Sequence, residues 1–131
     1  MRFDPECAKN IMIYIEDNQG IRYNGKAEII HPKDFNFDDP IFLGFTSDVI
    51  YYHVKQLVES KLLDADIHDG ASPKLYDITD ISPKGHDFLA AARSNTFWNK
   101  VIKYINDNGI PLTIATIIDV CRKLTSTIIG I

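Results

Sequence analysis

The sequence has few cysteines and no long apolar run. Its two cysteines, Cys7 and Cys121, lie near opposite ends of 131 residues, which argues against the disulfide framework of a small secreted domain. No uninterrupted apolar stretch approaches the roughly 18 residues that cross a bilayer, and the N-terminus lacks the apolar core of a signal peptide. We therefore expect a cytoplasmic protein with free thiols and no membrane partner.

Motifs of catalysis and of metal binding are also missing. Glycine-rich phosphate loops, nucleophile elbows and kinase or dinucleotide fingerprints do not occur. The four histidines lack zinc-site spacing, and the trio Asp66, His68 and Asp69 falls in a turn without a fourth ligand. Both cysteines fall in helical apolar patterns, where thiols are usually inert. We expect no enzyme, no metal site and no cofactor.

The composition is that of an ordinary globular domain, with 45% hydrophobic and 24% charged residues. The net charge of −4 is unevenly distributed along the chain. Residues 46–82 carry three basic and seven acidic side chains, whereas residues 83–131 carry six basic and three acidic ones. A polyanionic partner would therefore meet repulsion from the middle of the chain.

Capping residues mark the starts of four of the five predicted helices. A capping oxygen precedes the apolar stripe in each of Asp4-Pro5, Thr46-Ser47-Asp48, Ser82-Pro83 and Thr113. The apolar spacing predicts helices over residues 5–18, 47–61, 83–95 and 97–107, and a last helix that follows Thr113.

Alternating residues and turn signals predict the extended segments. Asn24-Gly25 predicts a short hairpin within residues 21–30, and the apolar residues 41–45 predict a short strand after a loop. Residues 62–68 and 75–81, separated by Asp69-Gly70-Ala71-Ser72-Pro73, predict a second hairpin.

The order of these elements is that of a winged helix, a helix-turn-helix with a β-hairpin as its wing. We predict a mainly helical α+β fold, with a winged-helix domain over residues 1–95 and a helical C-terminal extension over residues 96–131. The extension packs either on the same core or on a dimer partner.

Three segments resemble an uncharacterised phage- and prophage-associated winged-helix group, domain-of-unknown-function family 2513, which has distant YjcQ-like relatives. They are Tyr52-His53-Val54-Lys55-Gln56-Leu57, Lys84-Gly85-His86-Asp87-Phe88-Leu89 and Thr96-Phe97-Trp98-Asn99-Lys100-Val101. The resemblance spans nearly the whole chain, apart from a longer insert between residues 30 and 45. It implies a mobile-element protein without an established activity, since a fold does not fix a function.

The winged-helix prediction gives a candidate DNA-binding face. Its side chains are those that point outward from helix 47–61 together with one lysine at the wing tip. They are Ser47, Tyr51, Tyr52, Lys55, Gln56 and Lys74. Such side chains bond base edges and phosphates in double-stranded DNA, but the acidic segment that holds them opposes a polyanion. The alternative is a protein-interaction module that uses an acidic wing face.

The last helix gives a candidate dimer interface, because its apolar stripe runs to the end of the sequence. The stripe comprises Ile114, Ile117, Ile118, Cys121, Leu124 and Ile128. A homodimer through this helix would suit a helix-turn-helix protein that binds two half-sites. The alternative is that the stripe packs on helix 5–18 or on the helix that contains Trp98.

Overall fold

Five α-helices and one antiparallel hairpin form the regular structure of residues 1–21, 24–68 and 75–129, which the computed structural model describes apart from the side chains of residues 75 and 127–129. The helices are α1 (Pro5–Asn18), α2 (Ser47–Glu59), α3 (Pro83–Ala92), α4 (Asn95–Asp107) and α5 (Ile114–Ile129), and the strands are β1 (Leu63–His68) and β2 (Leu75–Ile81). The predicted mainly helical α+β fold is confirmed. None of the described helices is long and apolar enough to cross a membrane.

The predicted capping residues begin the helices. The Asp4 carboxylate accepts a hydrogen bond from the backbone N–H of Glu6 at 2.9 Å, and the Ser82 hydroxyl accepts one from Gly85 at 3.0 Å. Each such cap stabilises a helix by about 1 kcal/mol. Helix α4 begins two residues earlier than the predicted position 97, because Ser94 supplies a cap that the apolar stripe did not indicate.

The strand predicted for residues 41–45 is wrong. A short 3₁₀ helix, Pro40–Phe42, occupies the start of this segment, and the Asp39 carboxylate caps it through the N–H of Ile41 at 3.0 Å. The Phe42 ring lies 4.8 Å from the ring of Tyr14 on α1, measured between centroids. The apolar run therefore reflects the burial of Phe42 in a turn and not a strand.

The hairpin predicted at Asn24-Gly25 falls partly on residues 22 and 23, which lie outside the described residues. Beside them, Ile21 and Ala27 form an antiparallel bridge, and Gly25 has a φ of +81°, as the turn requires. Ile30 then pairs with Ile78 on β2, each N–H donating to the other's carbonyl oxygen at 2.9 and 2.8 Å. The pairing stops there because Pro32 has no N–H to donate.

A tight junction joins the end of α2, the base of the hairpin and the start of α3. Lys61 adopts a left-handed conformation with a φ of 65°, which turns the chain from α2 into β1. The Ser82 hydroxyl donates to the Lys61 carbonyl at 2.6 Å, and the Ser82 N–H donates to the Leu62 carbonyl at 3.1 Å. A β-carbon on Gly85 would lie 2.2 Å from that Leu62 oxygen, so only glycine fits there.

One hydrophobic core includes side chains from all five helices. Trp98 on α4 is buried against Phe88 of α3, and its indole N–H donates to the Glu6 carboxylate on α1 at 2.8 Å. Burial alone would raise the pKa of Glu6, but hydrogen bonds from Lys9 and Trp98 lower it. Residues of the predicted C-terminal extension thus share the core of the preceding domain, and the boundary at residue 95 stays a prediction.

Gly85→Ala tests the junction. Helix propensity alone predicts a gain of about 1 kcal/mol in the free energy of unfolding, whereas the clash with the Leu62 carbonyl predicts a loss of roughly 1–3 kcal/mol. Urea unfolding followed by circular dichroism measures the difference. Ala90→Gly, on the exposed side of the same helix, is the control and should cost about 1 kcal/mol. A stabilised Gly85→Ala variant would contradict the close approach.

Both cysteines are free thiols that belong to the packing of helices. Burial and the nearby Asp4 carboxylate raise the pKa of Cys7 to about 12, and burial raises the pKa of Cys121 to about 11. Since only the thiolate is nucleophilic, neither group is activated near neutral pH.

We predict that iodoacetamide at pH 8 alkylates both thiols of the native chain on the order of a hundredfold more slowly than those of the unfolded chain. Mass spectrometry of timed samples, with the chain in guanidinium chloride as the control, measures the two rates. Rapid alkylation of Cys7 in the native chain would show that its thiol is neither buried nor suppressed.

Candidate functional site

The outer face of α2 presents the side chains that the sequence predicted to bind DNA. Ser47 and Lys55 are exposed, Tyr51 is 39% exposed, and Tyr52 and Gln56 are half-buried. This face is available because the opposite one carries the core residues of the helix. Those residues include Ile50, Leu57 and Val58.

A groove of about 750 Å³ separates this face of α2 from the hairpin and from the chain that follows Ile30. Among the described residues, three elements line it: α2, the hairpin, and the short segment 31–33. The lining residues are His31, Pro32, Lys33, Tyr51, Tyr52, Val54, Lys55, His68, Tyr76 and Asp77. A cavity of this size that combines aromatic side chains with a few convergent polar groups is typical of a binding site.

Neighbouring side chains contact Tyr51 and Lys55 of α2. The ring of Tyr51 lies 5.7 Å from that of Phe37 and nearly perpendicular to it. The Lys55 ammonium lies 3.9 Å from the carboxylate of Glu59, one turn further along the helix. Such an exposed pair contributes little stability, so Lys55 remains available to a ligand.

His53 does not line the groove, because it is fully buried on the core side of α2. Its Nδ1 lies 2.8 Å from the carbonyl oxygen of Val49, and its Nε2 accepts a hydrogen bond from the backbone N–H of Asp4 at 2.8 Å. These partners require a neutral ring with the proton on Nδ1. His53 therefore links Asp4, just before α1, to helix α2, which is a structural role.

Two histidines share one carboxylate at the groove. The Nδ1 of His31 lies 2.6 Å from one oxygen of Asp77, and the Nε2 of His68 lies 2.6 Å from the other. These hydrogen bonds, from His68 and then His31, lower the pKa of the Asp77 carboxyl. The cluster joins segment 31–33 to both strands of the hairpin.

No group of three or more histidine, cysteine, aspartate or glutamate side chains is placed to hold a metal ion within the described parts of the chain. Of the trio weighed from the sequence, His68 bonds Asp77, Asp66 is exposed, and Asp69 lies outside the described residues.

The outer surface of the hairpin is acidic, because Asp64, Asp66 and Asp80 are exposed. The strand register places Asp64 opposite Asp80, so like charges face each other across the strands, and it places Asp66 opposite Asp77, the carboxylate that lines the groove. Lys74, which the sequence predicted to be the basic contact at the tip, lies outside the described residues.

The groove residues that the sequence interpretation missed include His31, Lys33, Tyr76 and Asp77. The first two lie in a segment read as an irregular loop, and the other two lie in a strand read only as a wing. The pairing of Ile30 with Ile78 brings these segments together. No local sequence pattern predicts a bridge between residues that are 48 positions apart.

The predicted dimer stripe is partly covered within the chain. Ile114, Ile117 and Ile118 are buried, and α5 packs against α4. Cys121 and Leu124 are half-buried, and the side chain of Ile128 lies outside the described residues. The first residues of the stripe therefore pack on the helix that contains Trp98, as the alternative prediction had it. A homodimer stays a prediction.

Comparison with known proteins agrees with the resemblance found in the three sequence segments. An uncharacterized protein of Haemophilus influenzae is 25% identical over 89 residues, which cover 68% of this chain and 75% of the relative. No solved structure matches the chain. The family described as "Hypothetical protein (DUF2513)" matches residues 2–111, a span that ends before α5. The chain belongs to the DUF2513 family.

Proposed function

We propose that the chain is a non-enzymatic winged-helix module, of the kind encoded by mobile elements, that binds DNA in the cytoplasm through α2 and the hairpin. One observation carries the proposal: Tyr51, Tyr52 and Lys55 line the same groove as side chains of the hairpin. A reading helix beside a wing is the arrangement with which winged-helix proteins contact DNA.

The order of elements supports this proposal. Helix α1 is followed by the bridge between Ile30 and Ile78, then by α2 and the hairpin. In a winged helix the same positions hold the first helix, a short edge strand, the reading helix and the wing. The 3₁₀ turns within residues 32–42 stand where the middle helix of that motif would be.

The chemistry of the α2 face also supports it. The Lys55 ammonium suits a phosphate or a base edge, the Gln56 amide bonds base edges, and the Ser47 and tyrosine hydroxyls suit phosphates. A non-enzymatic role fits the lining, since its described residues include no serine, threonine or cysteine for His31 or His68 to activate.

Lys55→Gln tests this function. A module that uses Lys55 on a phosphate should lose several-fold in DNA affinity at low salt, and the slope of log K against log salt should fall by about 0.7–0.9. Fluorescence anisotropy with labelled DNA, supplied both paired and unpaired, measures both quantities.

The matched control is Lys100→Gln, an exposed lysine on α4 away from the groove, which should leave DNA affinity unchanged. The absence of any salt-sensitive DNA binding by the unaltered chain, or equal losses in the two variants, would refute the proposal.

A second candidate is a protein-interaction module that uses the acidic outer surface of the hairpin. The cross-strand pair Asp64–Asp80 favours it, because facing like charges destabilise a hairpin unless a cation or a basic partner neutralises them. The tyrosines beside this surface are residues that often anchor protein interfaces.

Asp64→Asn distinguishes the two candidates. For a basic protein partner, calorimetric titration with a lysine-rich peptide should give binding that Asp64→Asn weakens and Lys55→Gln leaves unchanged. For DNA, Asp64→Asn should strengthen binding and Lys55→Gln should weaken it, because removal of a nearby negative charge strengthens the binding of a polyanion. No heat of peptide binding at low salt would eliminate the second candidate.

A further inference from the structure

We infer that the groove between α2 and the hairpin binds unpaired nucleotides of single-stranded nucleic acid rather than duplex DNA. This inference rests on the proposed function and specifies the form of nucleic acid that the groove accepts. Its basis is the contrast between the chemistry of the groove lining and that of the surface around it.

The lining offers aromatic surfaces suited to bases. The rings of Tyr51 and Tyr52 come from α2, and that of Tyr76 comes from β2 on another side of the groove. Every base has a flat π-face, so tyrosines that line a groove bind bases by stacking without reading a paired edge. In a duplex these faces are covered by neighbouring base pairs, and only unpaired bases can reach the rings.

The lining also offers positive charge. Lys33 and Lys55 line the groove with two histidines, whereas Asp77 is the one carboxylate among its described lining residues. Both oxygens of Asp77 are already engaged, by His31 and His68 at 2.6 Å each. A phosphate that enters the groove therefore meets two ammonium groups and a carboxylate already paired by hydrogen bonds.

The surface around the groove has the opposite charge. Asp48 and Glu59 on α2, and Asp64, Asp66 and Asp80 on the hairpin, are all exposed. A duplex carries one negative charge per roughly 1.7 Å of its axis, so a duplex laid across α2 and the hairpin would overlie these carboxylates. A single strand can place one or two nucleotides in the groove while the rest of the strand extends away from the protein surface, so it avoids most of that repulsion.

Fluorescence anisotropy at low salt tests the inference with a labelled oligothymidine of roughly 10 nucleotides, a length within the site size of single-strand binding modules. The same strand annealed to oligodeoxyadenosine serves as the duplex. We expect the single strand to bind at least about tenfold more tightly. Equal or tighter binding of the duplex would overturn this inference but leave the proposed function standing, whereas failure of both forms to bind would refute both.

Tyrosine variants test the stacking. Tyr51→Leu should weaken single-strand binding by about tenfold, and Tyr51→Phe should restore most of the loss because it keeps the ring. Tyr104→Leu, on α4 outside the groove, is the control and should have no effect. Thermal unfolding of each variant establishes that it is folded, and a folded Tyr51→Leu variant with unchanged affinity would overturn the inference.

Hairpin variants test the exclusion of the duplex. The combined Asp64→Asn and Asp66→Asn substitutions should raise duplex affinity several-fold while changing single-strand affinity much less, since the two residues do not line the groove. Equal gains for the two forms would contradict a selective role of the acidic hairpin. Binding of a lysine-rich peptide in place of either nucleic acid would also overturn the inference.

Discussion

The junction of α2, the hairpin and α3 is the constraint on which the binding groove depends. The left-handed turn at Lys61, the bonds from Ser82 to the carbonyls of Lys61 and Leu62, and the close approach of Gly85 leave the hairpin one orientation relative to α2. Because α2 and the hairpin form two sides of the groove, this orientation sets its shape. The Asp77 carboxylate then holds the third side, at His31, against both strands.

Helix α1 gives this arrangement a rigid base. The N–H of Asp4, just before α1, bonds the buried His53 of α2, and the Glu6 carboxylate receives the indole N–H of Trp98. At the other end of α1, Glu16 and Asp17 both pair with Arg93 beyond α3. The exposed Arg93 pairs contribute little stability, whereas loss of a partner at the buried His53 would leave polar groups unsatisfied. The interior bonds therefore do more to fix the helices.

Charge shows how far a sequence total differs from a local environment. Counted along the chain, residues 46–82 oppose a polyanion, and that count favoured a protein partner. In three dimensions the carboxylates of Asp64, Asp66 and Asp80 lie outside the groove lining, while Lys33 enters it from a different segment. A ligand in the groove responds most to the charges nearest to it, because the Coulomb energy falls with distance, and not to a total along the chain. The groove and its surroundings thus favour different partners.

The sequence by itself determined the five helices, the second hairpin and the outward face of α2, because capping and apolar periodicity act over a few residues. It mispredicted the strand at residues 41–45, since burial of Phe42 against α1 depends on contacts far along the chain. Only the tertiary structure decided that Ile30 pairs with Ile78, and with it that His31 and Lys33 face Tyr51 and Tyr76. A groove built from three distant segments has no local signal, because its geometry exists only after the core has packed.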